Sequence, residues 1–268
     1  MNTANLETQV GFKNLLLSQI ETGIYQLQIN RPKALNALNE ETLSELNLAL
    51  EQLSQQTDLQ VLLLTGSGSK AFVAGADIRA MSKLSPTEAE AFAALGHQVM
   101  QRIERLPVPV IALVNGYALG GGCELALSCD FILASETAVF AQPEVGLGIT
   151  AGFGGSQRLP QQVGKAMAAE LLYTGRNVKA EEALRIGLVN HLYPQQDLLE
   201  EGIKQAHMIC GKSANAVRAT KELIHCSQNL PLDSGCEIER KVFGLCFGAE
   251  DQLEGMGAFL QNRSAEFE

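Results

Sequence analysis

Two glutamates stand where a carboxylate is out of place. Glu124 follows the run Gly120-Gly121-Gly122 by two residues, and Glu144 lies behind Pro143 in the turn-like stretch AQPEVG. Nearly all other acids fall in visibly polar stretches that read as solvated surface. In apolar, glycine-rich surroundings a carboxylate costs on the order of several kcal/mol unless it has partners or a task. Burial and mutual repulsion would split the proton affinities of such a pair. A pair split in this way can serve as acid and base on one water. Each also has a plainer reading, Glu124 as a negative charge in a first helical turn and Glu144 as a turn carboxylate.

The glycine run sits where a strand hands over to a helix. The first N–H groups of a helix have no intrahelical partner and point outward at the positive end of its dipole. Glycines let a ligand approach that backbone, and a carbonyl oxygen gaining negative charge would be stabilised there. The same glycines serve equally for tight helix–strand packing. FVAGADIRAM (72–81) is a second site of this kind, with Ala74, Gly75 and Ala76 ahead of Asp77. Asp77 is a candidate helix cap, which would leave the Ala76 N–H for a ligand. One donor from each of two loops makes an oxyanion hole.

Other chemistries lack their motifs. GSGSK (66–70) follows a strand, but Lys70 is followed by Ala71 and Phe72 rather than the Ser or Thr of a phosphate loop. GYALGGGCE (116–124) lacks the third glycine of a dinucleotide fingerprint. No G-x-S-x-G elbow occurs. The four histidines have no HExxH spacing and the six cysteines form no CxxC pair, so neither a metal nor a disulfide framework is expected. The net charge of −10 argues against nucleic acid and anionic membranes as partners, which need basic surfaces. No signal-like start and no membrane-length apolar run is visible, so a cytoplasmic location is expected.

The elements that must position these residues are of the α/β class. Strands are expected at 14–20 and 24–30 around a turn, then at 61–66, 110–116, 131–135 and 138–141. Helices are expected at 40–56, at 86–105 behind Ser85-Pro86, and at 120–130. Beyond about residue 155 the chain reads as helical throughout: 156–174, 179–186, 195–211, 213–227, 231–247 and 249–261. The expected division is a core over 1–200 and a helical region over 201–268. The tail carries more apolar residues, among them Ile224, Val242, Phe243, Leu245, Phe247 and Phe259, than a small helical unit buries alone, which suits packing on the core or on another subunit.

At these residues the sequence resembles the enoyl-CoA hydratase/isomerase family, the crotonases. The resemblance is carried in order by INRPKALNAL (29–38), KAFVAGADIRAM (70–81), PVIALVNGYALGGGCELALSCD (109–130), FAQPEVGLGITAGFGGSQRLPQQVG (140–164), TGRNVKAEEALRIGLVN (174–190) and EGMGAFLQNR (254–263). It implies a spiral of repeated ββα units followed by a C-terminal helical region for assembly as trimers or paired trimers. It implies that Ala76 and Gly121 bind the thioester oxygen and that Glu124 and Glu144 are the catalytic glutamates. Lys33, Ala34, Ala74, Gly75, Asp77, Ile78, Pro143 and Gly152 match segments around the substrate. The implied reaction is reversible hydration of trans-2-enoyl-CoA to 3-hydroxyacyl-CoA. Coenzyme A is then part of the substrate and no separate cofactor is expected. A 3,2-enoyl-CoA isomerase, or a non-catalytic homologue binding CoA esters or RNA, is the alternative. Ala151 stands where a proline is common, and Asn262 where a lysine often meets CoA phosphates. Lys33, Arg79 and Arg263 are the remaining candidates for those phosphates. The length fits one such subunit and is expected to leave no room for a fused dehydrogenase domain.

Overall fold

The computed structural model describes residues 11–267. It opens with a hairpin, β1 (Leu15–Glu21) paired antiparallel with β2 (Ile24–Ile29), followed by α1 (Glu40–Ser54). The Asn39 side chain accepts from the Thr42 N–H at 2.9 Å and starts α1, which buries Leu43, Leu46, Leu50 and Leu53 at the expected helical spacing.

The chain then repeats strand, strand, helix. The first such turn is β3 (Val61–Gly66), β4 (Ala71–Val73), α2 (Ile78–Met81) and α3 (Pro86–Arg105). The second is β5 (Val110–Val114), β6 (Tyr117–Leu119) and α4 (Gly121–Leu127). The third is β7 (Phe131–Ser135), β8 (Val139–Ala141), α5 (Gly155–Val163) and α6 (Lys165–Thr174). Then come β9 (Val178–Lys179), α7 (Ala180–Arg185) and β10 (His191–Tyr193). Four helices follow, α8 (Leu198–Cys210), α9 (Ala214–Ser227), α10 (Leu232–Cys246) and α11 (Glu250–Leu260).

The first strand of each repeat joins a six-stranded sheet of order β1-β2-β3-β5-β7-β10, and the second joins a four-stranded sheet of order β4-β6-β8-β9. This is the spiral of ββα units that the family resemblance implied. Strands β4, β6 and β8 are parallel neighbours. Their C-terminal ends therefore lie side by side, and the loops that leave them, near residues 74–77, 120–121 and 142–144, meet at one edge. That juxtaposition builds the site described below.

Strand alternation sorts the core. Leu62 and Leu64 of β3 face the main cluster with α1 and α3, while Val61 and Leu63 face a second cluster with Leu198 and Ala206 of α8. With both faces covered, β3 and β5 read as continuous apolar runs. Helix α8 straddles the expected boundary at residue 200 and packs on the large sheet. The sequence expectation of one helix over 156–174 is corrected to two, because Gly164 at φ +81° interrupts it. Strands β9 and β10, expected as helix or loop, are two and three residues long, too short to carry a periodicity.

Helix α9 is tied to the core by Lys221, whose Nζ lies 2.8 Å from Asp130, 2.8 Å from the Val108 carbonyl and 3.3 Å from the Ile103 carbonyl. Its side chain is only 8% exposed. Replacing it by methionine leaves three acceptors without their cation, and the Lys221→Met variant is expected to lose about 2–4 kcal/mol in chemical denaturation. An unchanged midpoint would show that the pair does not hold α9.

Candidate active site

The loops after β4, β6 and β8, with the 147–153 segment and one side of α3, enclose a cavity of about 520 Å³. Ala74, Gly75, Ala76 and Ile78 line it from the first loop. Gly120, Gly121 and Glu124 line it from the second, Pro143 and Glu144 from the third, and Gly152 and Phe153 from the fourth segment. Met81, Leu84 and Phe92 add an apolar wall.

The three glycines do three different jobs. Gly120 adopts φ +48°, ψ −121°, and a Cβ there would lie 2.5 Å from Glu144 Oε1. A Cβ at Gly121 would lie 3.1 Å from the Phe153 ring and 3.5 Å from the Ala76 nitrogen, in the space between the two loops. A Cβ at Gly122 would lie 1.9 Å from the Val73 carbonyl oxygen. Close packing is thus the work of Gly122, and access to the backbone that of its two predecessors.

The two N–H donors come from different loops. Leu38 donates to the Gly75 carbonyl and accepts from the Asp77 N–H, each at 2.8 Å, so the intervening Ala76 N–H points away from that bridge. Gly121 is the first residue of α4. Among the described residues neither N–H donates to a protein acceptor. Their placement suits a developing oxyanion.

Glu124 is 1% exposed, and its Oε1 accepts from the Phe153 N–H at 2.8 Å and the Gly155 N–H at 2.7 Å. Burial pushes its carboxyl above the ordinary range, while the Gly155 and Phe153 amides and the Arg158 charge pull it back. Burial also lifts Glu144, to about 7, with the Glu124 charge adding to the rise. Gln142, buried beside Glu144, brings its amide NH₂ to 3.3 and 3.2 Å from the two carboxylate oxygens in the orientation that gives both groups a partner. The neighbouring thiol of Cys123 is pushed up by burial first and the two carboxylates second, so it is no thiolate nucleophile at neutral pH.

A sequence profile of the family described as enoyl-CoA hydratase/isomerase matches residues 19–268. The chain belongs to the enoyl-CoA hydratase/isomerase family. It is 50% identical over 258 residues to crotonyl-CoA hydratase of Syntrophomonas wolfei, covering 96% of this chain and 99% of that one. It is 45% identical over 253 residues to short-chain-enoyl-CoA hydratase of Clostridium acetobutylicum, covering 94% and 97%. The crystal structure of an enoyl-CoA hydratase from Bacillus anthracis superposes with a TM-score of 0.92 at 36% identity, covering 95% of this chain and 99% of that one.

Of the residues that family resemblance singles out, Lys33, Ala34 and Asp77 do not line the cavity. Lys33 and Ala34 sit on a helical turn at Pro32–Ala34 that backs onto the first loop, where the Ala74 N–H donates to the Leu35 carbonyl at 3.0 Å. The cap expected of Asp77 is corrected. Its side chain caps nothing and pairs instead with Arg31 at 3.2 Å, because that guanidinium lies across from it. Arg263 is engaged by Glu254 of its own chain at 2.6 and 2.7 Å. Sequence reasoning missed Gln142 and the Phe153 and Gly155 amides. The glutamine's only signal was adjacency to Pro143-Glu144, and backbone donors carry no side-chain signature. Among the described residues no group of three His, Cys, Asp or Glu side chains is placed to hold a metal, and no helix is long and apolar enough to cross a membrane.

The raised Glu144 has a consequence for stability. A carboxyl whose folded value lies above its unfolded one stabilises fully below the unfolded value of 4.5 and loses that contribution as pH rises through about 7. Glutamine at this position has no such dependence. The melting temperature of Glu144→Gln relative to wild type is therefore expected to climb between about pH 5 and pH 8. A flat difference would place Glu144 in water rather than in the cavity.

Proposed function

We propose that this chain adds water reversibly across the double bond of trans-2-enoyl-CoA thioesters. The observation that carries the reading is the convergence, from separate loops, of a buried and a half-buried carboxylate and of two N–H donors that meet no protein acceptor among the described residues, on one apolar cavity. The Ala76 and Gly121 N–H groups receive the thioester oxygen and stabilise the enolate-like charge that forms when C3 is attacked. Glu124, oriented by two backbone amides, takes a proton from the water as its oxygen bonds to C3. Glu144, which holds a proton up to about neutral pH, delivers it to C2. The product gains one hydroxyl and one hydrogen, and the proton left on Glu124 passes back through the shared water position to Glu144. Dehydration runs the same steps in reverse. Coenzyme A enters as part of the substrate, and we propose no separate cofactor. Its body leaves the cavity mouth past Ala74, Gly75, Ile78 and Asp77 toward Ala34 and Lys33, with Pro143 and Gly152 beside the acyl group.

The similarity to relatives named crotonyl-CoA and short-chain-enoyl-CoA hydratases supports a short acyl chain. We further propose a cytoplasmic homotrimer or pair of trimers. Helix α10 buries no residue within its own chain, and Leu232, Phe243, Leu245, Phe259 and Leu260 are all more than half exposed. Such a surface is covered by copies in solution. Sedimentation is expected to give three or six times the chain mass, and a monomer would refute the assembly.

Crotonyl-CoA is the direct test of the chemistry. Wild-type enzyme is expected to consume its conjugated thioester, and Glu124→Gln or Glu144→Gln to lower kcat by about 10²–10⁴ without unfolding. A folded Glu144→Gln variant of near wild-type rate would sink the two-carboxylate mechanism. Conversion of a 3-enoyl-CoA to the conjugated thioester faster than hydration would favour the isomerase.

A further inference from the structure

Arg158 lies behind the wall of the cavity, in the first turn of α5. It is not among the residues that line the cavity. A cation at the start of a helix faces the positive end of the helix dipole, so its placement needs an opposing reason. The guanidinium makes two directed contacts. Nε donates to Glu104 Oε1, in the last turn of α3, at 2.5 Å, and Nη1 donates to the Phe153 carbonyl at 2.8 Å. The two side chains are 14% and 20% exposed, so the pair is largely withdrawn from water.

The carbonyl that Arg158 holds belongs to the turn whose amides hold Glu124. Residues 153 and 155 donate to Glu124 Oε1, and the Phe153–Gly154 peptide lies between those two N–H groups. A peptide unit is planar, so holding its carbonyl holds the plane that joins the Phe153 and Gly154 Cα atoms, the link between the two donors. Gly154 is shaped to allow this. It sits at φ +105°, and a Cβ there would lie 2.1 Å from Arg158 Nη1. Gly96 on α3 makes room for the other face of the turn, since a Cβ at Gly96 would lie 2.1 Å from the Phe153 ring. Tying α3 to α5 would explain the Arg158–Glu104 pair alone. It does not explain the carbonyl contact or a glycine emptied to admit the guanidinium.

We propose that Arg158, held in place by Glu104, is a positioning residue that fixes the 153–155 turn so that its amides aim the Glu124 carboxylate at the reacting water. The proposal rests on the hydratase reading above. The charge of Arg158 acts in the same direction, favouring ionised Glu124 against its burial. Glu124 is also faced by Glu144 across the cavity and by Cys123 on its own helix. Arg158 is faced by Glu104, and His97 of α3 approaches the same glycine, its Cε1 3.6 Å from where a Gly154 Cβ would stand. Asp130, Lys221 and His225 line the polar cleft behind it.

The test is the pH dependence of kcat and KM for crotonyl-CoA in wild type, Arg158→Gln, Arg158→Lys and Glu104→Gln, with Glu124→Gln as reference. Arg158→Gln is expected to lose about 10–100-fold in kcat, with KM changed less than about threefold, because it disturbs alignment rather than binding. The acid limb of its kcat profile is expected to move up by about one pH unit, since Glu124 loses a neighbouring cation. Arg158→Lys keeps the charge but not the fork, so it keeps the wild-type limb at a reduced kcat. Glu104→Gln leaves the Arg158 charge unopposed and moves the limb down. It is also the variant that keeps the shape of the site if Arg158→Gln does not fold. Opposite shifts for the two partners are a signature that a purely structural tie would not produce. Wild-type kcat and limb in folded Arg158→Gln, or limbs moving the same way in both, overturns the proposal while an inactive Glu124→Gln leaves the hydratase reading standing. Loss of that reading itself would show as a wild-type enzyme without hydratase activity.

Discussion

A carboxylate held out of water by two backbone amides is the constraint on which the site depends. Glu124 is nearly inaccessible, and an unpartnered charge there would be expelled or neutralised. The amides of Phe153 and Gly155 supply its partners. Everything near it follows from that requirement. The 153–155 turn must have a fixed shape, Gly154 must adopt a conformation open to glycine, and the Phe153 ring must have a socket in α3 at Gly96. Glu144 is less deeply placed, and burial with the Glu124 charge lifts its carboxyl to about 7.

The spiral supplies what one helix terminus does not. Each ββα repeat carries the chain from the large sheet to the small one and then out through a loop at the same edge. Three repeats therefore deliver three loops to one place, with the Ala76 donor, the Gly121 donor with Glu124, and Glu144 arriving on successive turns. The parallel pairing of β4, β6 and β8 is what sets their spacing. Chemistry at this edge is distant in sequence but adjacent in topology.

Long elements were legible in the sequence because burial imprints a period on them. The leucines of α1, the Ser85-Pro86 start of α3 and the unbroken apolar runs of β3 and β5 all fall where pattern places them. Strands of two or three residues leave no period, and β9 and β10 escaped for that reason. Glu124 and Glu144 stood out as acids in apolar company, whereas the division of labour among Gly120, Gly121 and Gly122 needed coordinates, since three identical residues differ only in what a side chain would strike. Arg158 was hidden by its neighbours, because SQRLPQQ reads as an exposed polar face. Asp77 misled because a cap is a local device and its partner Arg31 is distant in sequence.

The central claim is geometric: one thioester oxygen between two N–H donors, and one water between two carboxylates. A crystal structure with butyryl-CoA, the saturated and unreactive analogue of the proposed substrate, measures it most directly. The thioester oxygen is predicted to lie within hydrogen-bond distance of both the Ala76 and Gly121 nitrogens, with a water shared by Glu124 and Glu144 beside C2 and C3. A thioester oxygen bound by other groups, or an acyl chain lying outside the cavity, would contradict the account.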